Sequence, residues 1–366
     1  MADFQQGWNR FLPQSHSNGF RSEFAVAFAG QTVCVAGAGG YIGSALVKAL
    51  GAEGLRAIVL LDSSEHALFE LQRYMEAAYP AAPCQYILGS VDDVGLLAAV
   101  FSRFRPQIVF HAAAFKHVGV LEHSPFAAIQ NNSLGTYTLV RAALAHGISK
   151  LVLVSTDKAV NSHSVMGVSK RIAELITLSL SSPACQANAI RLGNVIGSTG
   201  SVIPIFLEQI ANGRPISVTH PQASRYFFSR EEAVTGILAA GGADCEGMIL
   251  LPALADPVLV TDLANFLLKT HDRSGTTPLC FTGLRPGEKL TEDLVGENET
   301  RAGTIGGPLT VVRTERLSRA KCEEAATQLS SCIARRDPGS LLQSLCQLVP
   351  EYVPSKLMRE SAALVS

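Results

Sequence analysis

Between Gln31 and Gly193, short and nearly all-apolar runs alternate with longer stretches in which apolar residues recur every three or four positions. TVCVAG (32–37), AIVLLD (57–62), CQYILG (84–89), QIVFHAA (107–113) and KLVLVS (150–155) read as strands, and ANAIRLG (187–193) as a sixth. Runs that are β-branched and apolar without alternation suit strands covered on both faces. The amphipathic segments 41–52, 64–78, 92–104, 125–146 and 164–181 read as helices. Repeated strand–helix alternation implies right-handed crossovers and an α/β fold built on a doubly wound parallel sheet.

After Gly193 the pattern loosens. Residues 194–300 carry more glycine and proline and shorter apolar runs, as expected of a smaller lobe packed over the strand ends. Helical spacing returns over 316–348, so 301–366 is predicted to be a helical tail. The division expected is therefore an N-terminal extension (1–30), a sheet domain (31–193), the lobe (194–300) and the tail (301–366).

Composition narrows the function classes. Apolar residues make up 47% and charged ones 17%, enough for a substantial core. A net charge of -1 without a basic run excludes nucleic acid as the expected partner. The eight cysteines include no CxxC pair, which predicts reduced thiols and no metal site. No basic-then-apolar leader and no apolar run near 18 residues is found, so a cytoplasmic protein without a membrane span is expected.

The first strand runs into Gly37-Ala-Gly39-Gly40-Tyr-Ile-Gly43 and then an apolar helix. Gly37 permits a tight turn, Gly40 a close approach to a pyrophosphate, and Gly43 close helix–strand packing. Free N–H groups and the helix dipole would hold the phosphates. Asp62 ends the second strand, about 20 residues on, where a carboxylate accepts from adenosine ribose hydroxyls and repels a 2′-phosphate. This Rossmann-type pattern predicts NAD as cofactor in preference to NADP; Ser63 and Ser64 supply no cation.

Ligands bind beyond the carboxyl ends of the strands in an open parallel sheet, which places Ser155, Thr156, Asp157 and Lys158 where chemistry is expected. Lys170 follows Met166 by four residues on the next helix, so the two can share a face. Together with HAAAFKH, STDKAV, MGVSK, RLGNVIGSTGSVIPIF, SRYFFS and GLRPGEKL in this order, the glycine turn resembles the extended short-chain dehydrogenase/reductases. The similarity is strongest to their polysaccharide-biosynthesis branch, the UDP-N-acetylglucosamine 4,6-dehydratases, over about residues 31–295.

That resemblance implies oxidation at C4 of a UDP-sugar, loss of water across C5 and C6, and reduction at C6, with NAD regenerated. It assigns Thr156 to the 4-oxygen, Asp157 as acid for the 6-hydroxyl, Lys158 as base at C5 and Lys170 to the nicotinamide ribose. Lys158 must be neutral to act, and nearby Lys170 and the cationic nicotinamide favour that form. Tyr41, Ile42, Ser63, Ala112 and Ala113 join the cofactor site by the same resemblance. Lys116 and Asn194 are expected beside the sugar and diphosphate, Arg225 and Arg285 as diphosphate clamps, and Glu288 on the uridine ribose. His117 reads more simply as structural.

Several residues depart from the family pattern. Met166 stands where most of the superfamily has the tyrosine base, and a thioether has no proton to exchange. Asp157 is then expected to take the 4-hydroxyl proton and deliver it to the 6-oxygen. Ala36, Ser90, Ser162-His163 and Thr199 also differ from the usual residues, the last ones near the expected sugar site. A nucleotide-sugar epimerase and a non-catalytic NAD-binding sensor are the alternatives, and a homo-oligomer is expected by analogy with the superfamily.

Overall fold

The computed structural model describes residues 28–253, 255–272, 275–307 and 309–363. All but the last three residues of the expected N-terminal extension lie outside them. Among the described residues the main sheet has nine strands, in chain order β1 Thr32–Ala36, β2 Ala57–Asp62, β3 Cys84–Leu88, β4 Ile108–His111, β5 Lys150–Thr156, β6 Gln186–Leu192, β7 Ile249–Leu251, β8 Thr300–Ile305 and β9 Leu309–Arg313. Their spatial order is β8-β9-β7-β6-β5-β4-β1-β2-β3. Strands β1 to β7 pair in parallel, whereas β9 runs antiparallel to β7 and β8 antiparallel to β9. The order reverses between β1 and β4, which opens a crevice at their carboxyl ends.

The helices arise where the apolar spacing puts them: α1 Tyr41–Leu50, α2 Glu65–Ala78 and α3 Val94–Phe104. Ser64 and Asp93 cap α2 and α3 by accepting N–H bonds from Ala67 and Leu96. The helix expected over 125–146 is instead two α-helical pieces, Pro125–Ala128 and Gly135–Ala145, joined by a π-helical segment, Ile129–Leu134. Successive residues of β1 point to opposite faces: Cys34 and Ala36 join one apolar cluster, Val33 and Val35 the other. Burial on both faces explains why the strands lack polar alternation.

The sheet extends beyond Gly193, where the apolar pattern in the sequence ends. Strand β7 comes from the stretch expected to be lobe, β8 begins in that stretch, and β9 comes from the tail expected to be helical. Three residues (ILL) are too few to show a period, and β8 is exposed along most of its length. The lobe has its own small core, including Ile203, Phe206, Val218, Leu263 and Leu267.

The tail helices Arg319–Arg335, Pro338–Leu348 and Lys356–Ala363 fold back on the sheet domain. Cys322, Ala326, Leu329, Leu341, Leu345 and Met358 enter the same cluster as Val168, Ile172 and Ile176 of the helix Val165–Leu180. Every residue of that helix except Ser179 is buried within the one chain.

Candidate active site

The glycine turn is shaped by contacts that no side chain could share. Gly37 has φ +80, and a Cβ there would lie 2.4 Å from the Ala113 backbone N. A Cβ on Gly43 would lie 1.9 Å from Gly37 O, so α1 packs directly on the turn. Gly40 caps α1 without a side-chain bond, and Ile42 is partly buried against the core. The N–H groups that open α1 are thus available to an anion. Ala112 and Ala113 follow β4 where it crosses the turn, and Ala112 N–H donates to Ala36 O at 2.8 Å.

Asp62 is at the end of β2 as expected, and one carboxylate oxygen accepts from Gly39 N–H at 2.8 Å, the other from Ser64 N–H at 2.8 Å. Gly39, to which the glycine spacing assigns no role, orients the carboxylate toward the turn. Ser63 is exposed beside it. Tyr41 Oη donates to Ile196 O at 2.7 Å and so ties the turn to the segment that carries Asn194.

The end of β5 holds the residues expected to be reactive. Asp157 is wholly buried; its Oδ1 accepts from Thr156 Oγ1 at 2.9 Å and from Lys158 Nζ at 2.9 Å. Its Oδ2 is buried without a hydrogen-bond partner. Lys158 also donates to Asn194 Oδ1 at 3.0 Å, and its side chain is 22% exposed. The lysine faces the cleft while the carboxylate sits behind it. Gly167 permits this crowding, since a Cβ there would lie 2.2 Å from Lys158 O.

Met166, in the first turn of the following helix, is buried in the apolar core cluster. Lys170, one turn on, is 4% exposed, and burial lowers it from the ordinary 10.5 to about 8, with Glu174 opposing the shift. His111, at the end of β4, is fully enclosed and held down to about 3 by burial and then by the Lys170 charge. Its Nε2 faces Thr136 Oγ1 at 2.9 Å.

The lowered Lys170 value means that the folded state disfavours the ammonium. The cost is complete below about 8, where folded and unfolded chains are both protonated, and it fades as pH rises toward 10.5. Lys170→Met is therefore expected to raise the unfolding free energy near neutrality by about 1–3 kcal/mol, because each tenfold loss of proton affinity corresponds to about 1.4 kcal/mol. Denaturant titrations near neutrality and above 10.5 check this. An equal gain at both would contradict it.

A cleft of about 540 Å³ opens beyond these strands, lined among others by Lys116, His117, Lys158, Asn194, Arg225, Arg285, Glu288 and Glu292. Six residues read as catalytic or substrate-binding thus meet in one cavity. Asn132 clamps the loop bearing Lys116, accepting from Phe115 N–H at 2.8 Å and donating to Phe115 O at 3.0 Å. Partial desolvation lowers Lys116.

Arg225 departs from its expected role as a clamp. Its guanidinium donates to Ser224 O at 2.7 Å, Leu290 O at 3.0 Å and Lys289 O at 2.9 Å, so it holds the loop after Arg285 in place. The Arg285 side chain makes no hydrogen bond or ion pair among the described residues, while Glu288 Oε2 accepts from Arg285 N–H at 3.2 Å. Lys116 and Arg285 are the cations left for an anionic ligand. Glu292, missed in the sequence, is 6% exposed and lies 3.9 Å from Lys158 Nζ. Nothing in GEKLTED distinguishes it from its neighbours.

Among the described residues no helix is long and apolar enough to cross a membrane, and no cluster of metal-ligating side chains is present. A family model described as polysaccharide biosynthesis protein matches residues 33–312. The probable polysaccharide biosynthesis protein EpsC of Bacillus subtilis is 38% identical over 289 residues, 78% of this chain and 48% of that one. CapD, the capsular polysaccharide biosynthesis protein of Staphylococcus aureus, is 38% identical over 273 residues, 74% and 46% of the two chains. The chain thus spans about half the length of these relatives. A UDP-glucose 4-epimerase of Rickettsia prowazekii is 30% identical over 292 residues, 76% of this chain and 82% of the other.

Among solved structures, the dTDP-glucose 4,6-dehydratase DesIV of Streptomyces venezuelae, determined with NAD bound, aligns with a TM-score of 0.65 at 20% identity. The alignment covers 86% of this chain and 99% of DesIV, a likeness of fold. The match over most of the sheet and lobe, on a sheet of this topology, shows that the chain belongs to the polysaccharide biosynthesis protein family, on the extended short-chain dehydrogenase/reductase fold.

Proposed function

We propose that the protein is an NAD-dependent nucleotide-sugar 4,6-dehydratase acting on UDP-N-acetylglucosamine or a close analogue. The observation that carries this reading is the amine of Lys158, presented to the cleft with Asp157 enclosed behind it and Thr156 bonded to the same carboxylate oxygen. An alcohol oxidation needs one proton acceptor. Elimination across C5 and C6 needs a base and an acid together, and this cluster holds both.

The turn fits a dinucleotide: the Gly37 backbone lies where a Cβ would meet Ala113, the opening N–H groups of α1 suit a pyrophosphate, and Asp62 suits ribose hydroxyls. Bound there, NAD supplies the reversible two-electron oxidation that the sugar requires. In this reading Lys170 serves the ribose beside the nicotinamide.

The remaining steps belong to side chains. The 4-hydroxyl proton passes to Thr156 Oγ1 while the threonine proton moves to Asp157. Because Asp157 is enclosed, it acts through Thr156, not by touching both sugar oxygens as the sequence alone suggested. Lys158 then takes the C5 proton made acidic by the 4-ketone, and the C6 hydroxyl leaves as water with the proton stored on Asp157, which returns through Thr156 Oγ1. Lys158 finally returns its proton to C5 as the hydrogen and electron pair taken from C4 are restored at C6. The net change is loss of one water. Lys116 and Arg285 face the diphosphate and Glu288 the nucleoside ribose.

The similarity to UDP-glucose 4-epimerases favours a second reading, epimerisation at C4. Incubation with UDP-N-acetylglucosamine in deuterated water, followed by proton NMR of the product, separates them. Dehydration gives a C6 methyl signal with deuterium at C5. An intact hydroxymethyl with an altered C4 coupling would establish the epimerase, and no change at all a binding-only protein.

A further inference from the structure

Glu292 is a buried carboxylate in the cleft with three cations around it and no role in the steps above. Its Oε1 lies 3.9 Å from Lys158 Nζ and 3.9 Å from Arg225 Nε, and its Oε2 lies 3.2 Å from Lys289 Nζ. The segment that bears it is anchored on several sides. Arg225 holds the carbonyls of Lys289 and Leu290, Ser224 N–H donates to Leu290 O at 3.0 Å, and Lys289 Nζ donates to Val160 O at 3.0 Å. His163 is also beside Lys289 and Glu292, and Asp293 Oδ2 lies 3.9 Å from Lys289 Nζ.

Lys158 is therefore surrounded by Asp157 at 2.9 Å, Asn194 at 3.0 Å and, across the cleft wall, Glu292. We propose that Glu292 is a positioning residue for Lys158, aiming the amine at C5 and stabilising the ammonium formed when the C5 proton arrives. The proposal rests on the dehydratase reading. An opposite charge at this separation favours the charged product of proton abstraction, and a carboxylate in a restrained segment keeps its direction during the step. Oxidation at C4 runs through Thr156 and Asp157, so it does not draw on Glu292.

The test uses the full chain with Glu292→Gln and Glu292→Asp, and UDP-N-acetylglucosamine bearing hydrogen or deuterium at C5. Glu292→Gln is expected to lower kcat by about 10–100-fold, the range for a displaced acid–base group, with KM little changed. The C5 isotope effect on kcat should rise, while the first appearance of reduced nicotinamide keeps its wild-type rate. Glu292→Asp, which retains the charge, should recover part of the loss and keeps the test open should the glutamine variant not fold. Wild-type kcat and isotope effect in Glu292→Gln would overturn the assignment, as would slowing confined to the first oxidation. A wild-type chain that forms no C6-deoxy product overturns the dehydratase reading itself, and this assignment with it.

Discussion

Asp157→Asn is expected to lower turnover of UDP-N-acetylglucosamine by about a thousandfold, within the range for loss of a general acid–base group, and to suppress even the first oxidation. The amide keeps the shape of the side chain but accepts no proton from Thr156. Since Met166 is a core residue without an exchangeable proton, no tyrosine at that position can substitute. Thr156→Val should behave alike, because it cuts the bond from Thr156 Oγ1 to Asp157 Oδ1. Single-turnover absorbance of the reduced cofactor distinguishes the steps. Accumulation of reduced nicotinamide in Asp157→Asn at the wild-type rate would show that another group receives the 4-hydroxyl proton.

The largest loss of stability is expected from Arg191→Met. Arg191 is wholly buried at the end of β6 and pairs in bidentate fashion with Glu174 (2.8 and 2.7 Å) and Glu299 (2.6 and 2.8 Å). Arg171 joins both carboxylates and reaches Glu351 at 3.1 Å, so the cluster ties the sheet, the helix carrying Lys170 and the tail together. Burial pushes the Glu174 carboxyl up, but Arg191 and Arg171 outweigh it and hold it down to about 2. Removing Arg191 leaves buried carboxylates undercompensated, at a cost of about 3–5 kcal/mol. That is a large share of the usual 5–15 kcal/mol of a folded domain.

The pH dependence carries a sign. In the wild type, the Glu174 contribution is present above its ordinary 4.5 and is lost as pH falls toward about 2. In Arg191→Met the buried carboxylate prefers its proton, so the gap between the two proteins should narrow in acid. Urea midpoints near neutrality and below 4.5 measure it. A difference under about 1 kcal/mol near neutrality would show that Arg171 alone compensates the cluster. Because Glu174 also accepts from Ser155 Oγ at 2.7 Å, next to Thr156, activity should fall together with stability.

The chain by itself determined the parallel strands β1 to β6, the glycine turn with Asp62 and the grouping of Thr156, Asp157 and Lys158. Each depends on neighbours in sequence: apolar runs, a short glycine spacing, a tripeptide at a strand end. Only the tertiary structure decided the rest. Strand β7 is too short and β8 too exposed to carry a period, and β9 lies in a stretch otherwise helical, so pairing alone places them. Arg225 reads as a phosphate ligand until three carbonyls are seen around its guanidinium. Arg191 meets Glu299 across 108 positions, and Lys158 meets Glu292 across a comparable gap. Whether a charge is buried, and which opposite charge faces it, depends on chain segments far apart in sequence. Local pattern holds no record of that.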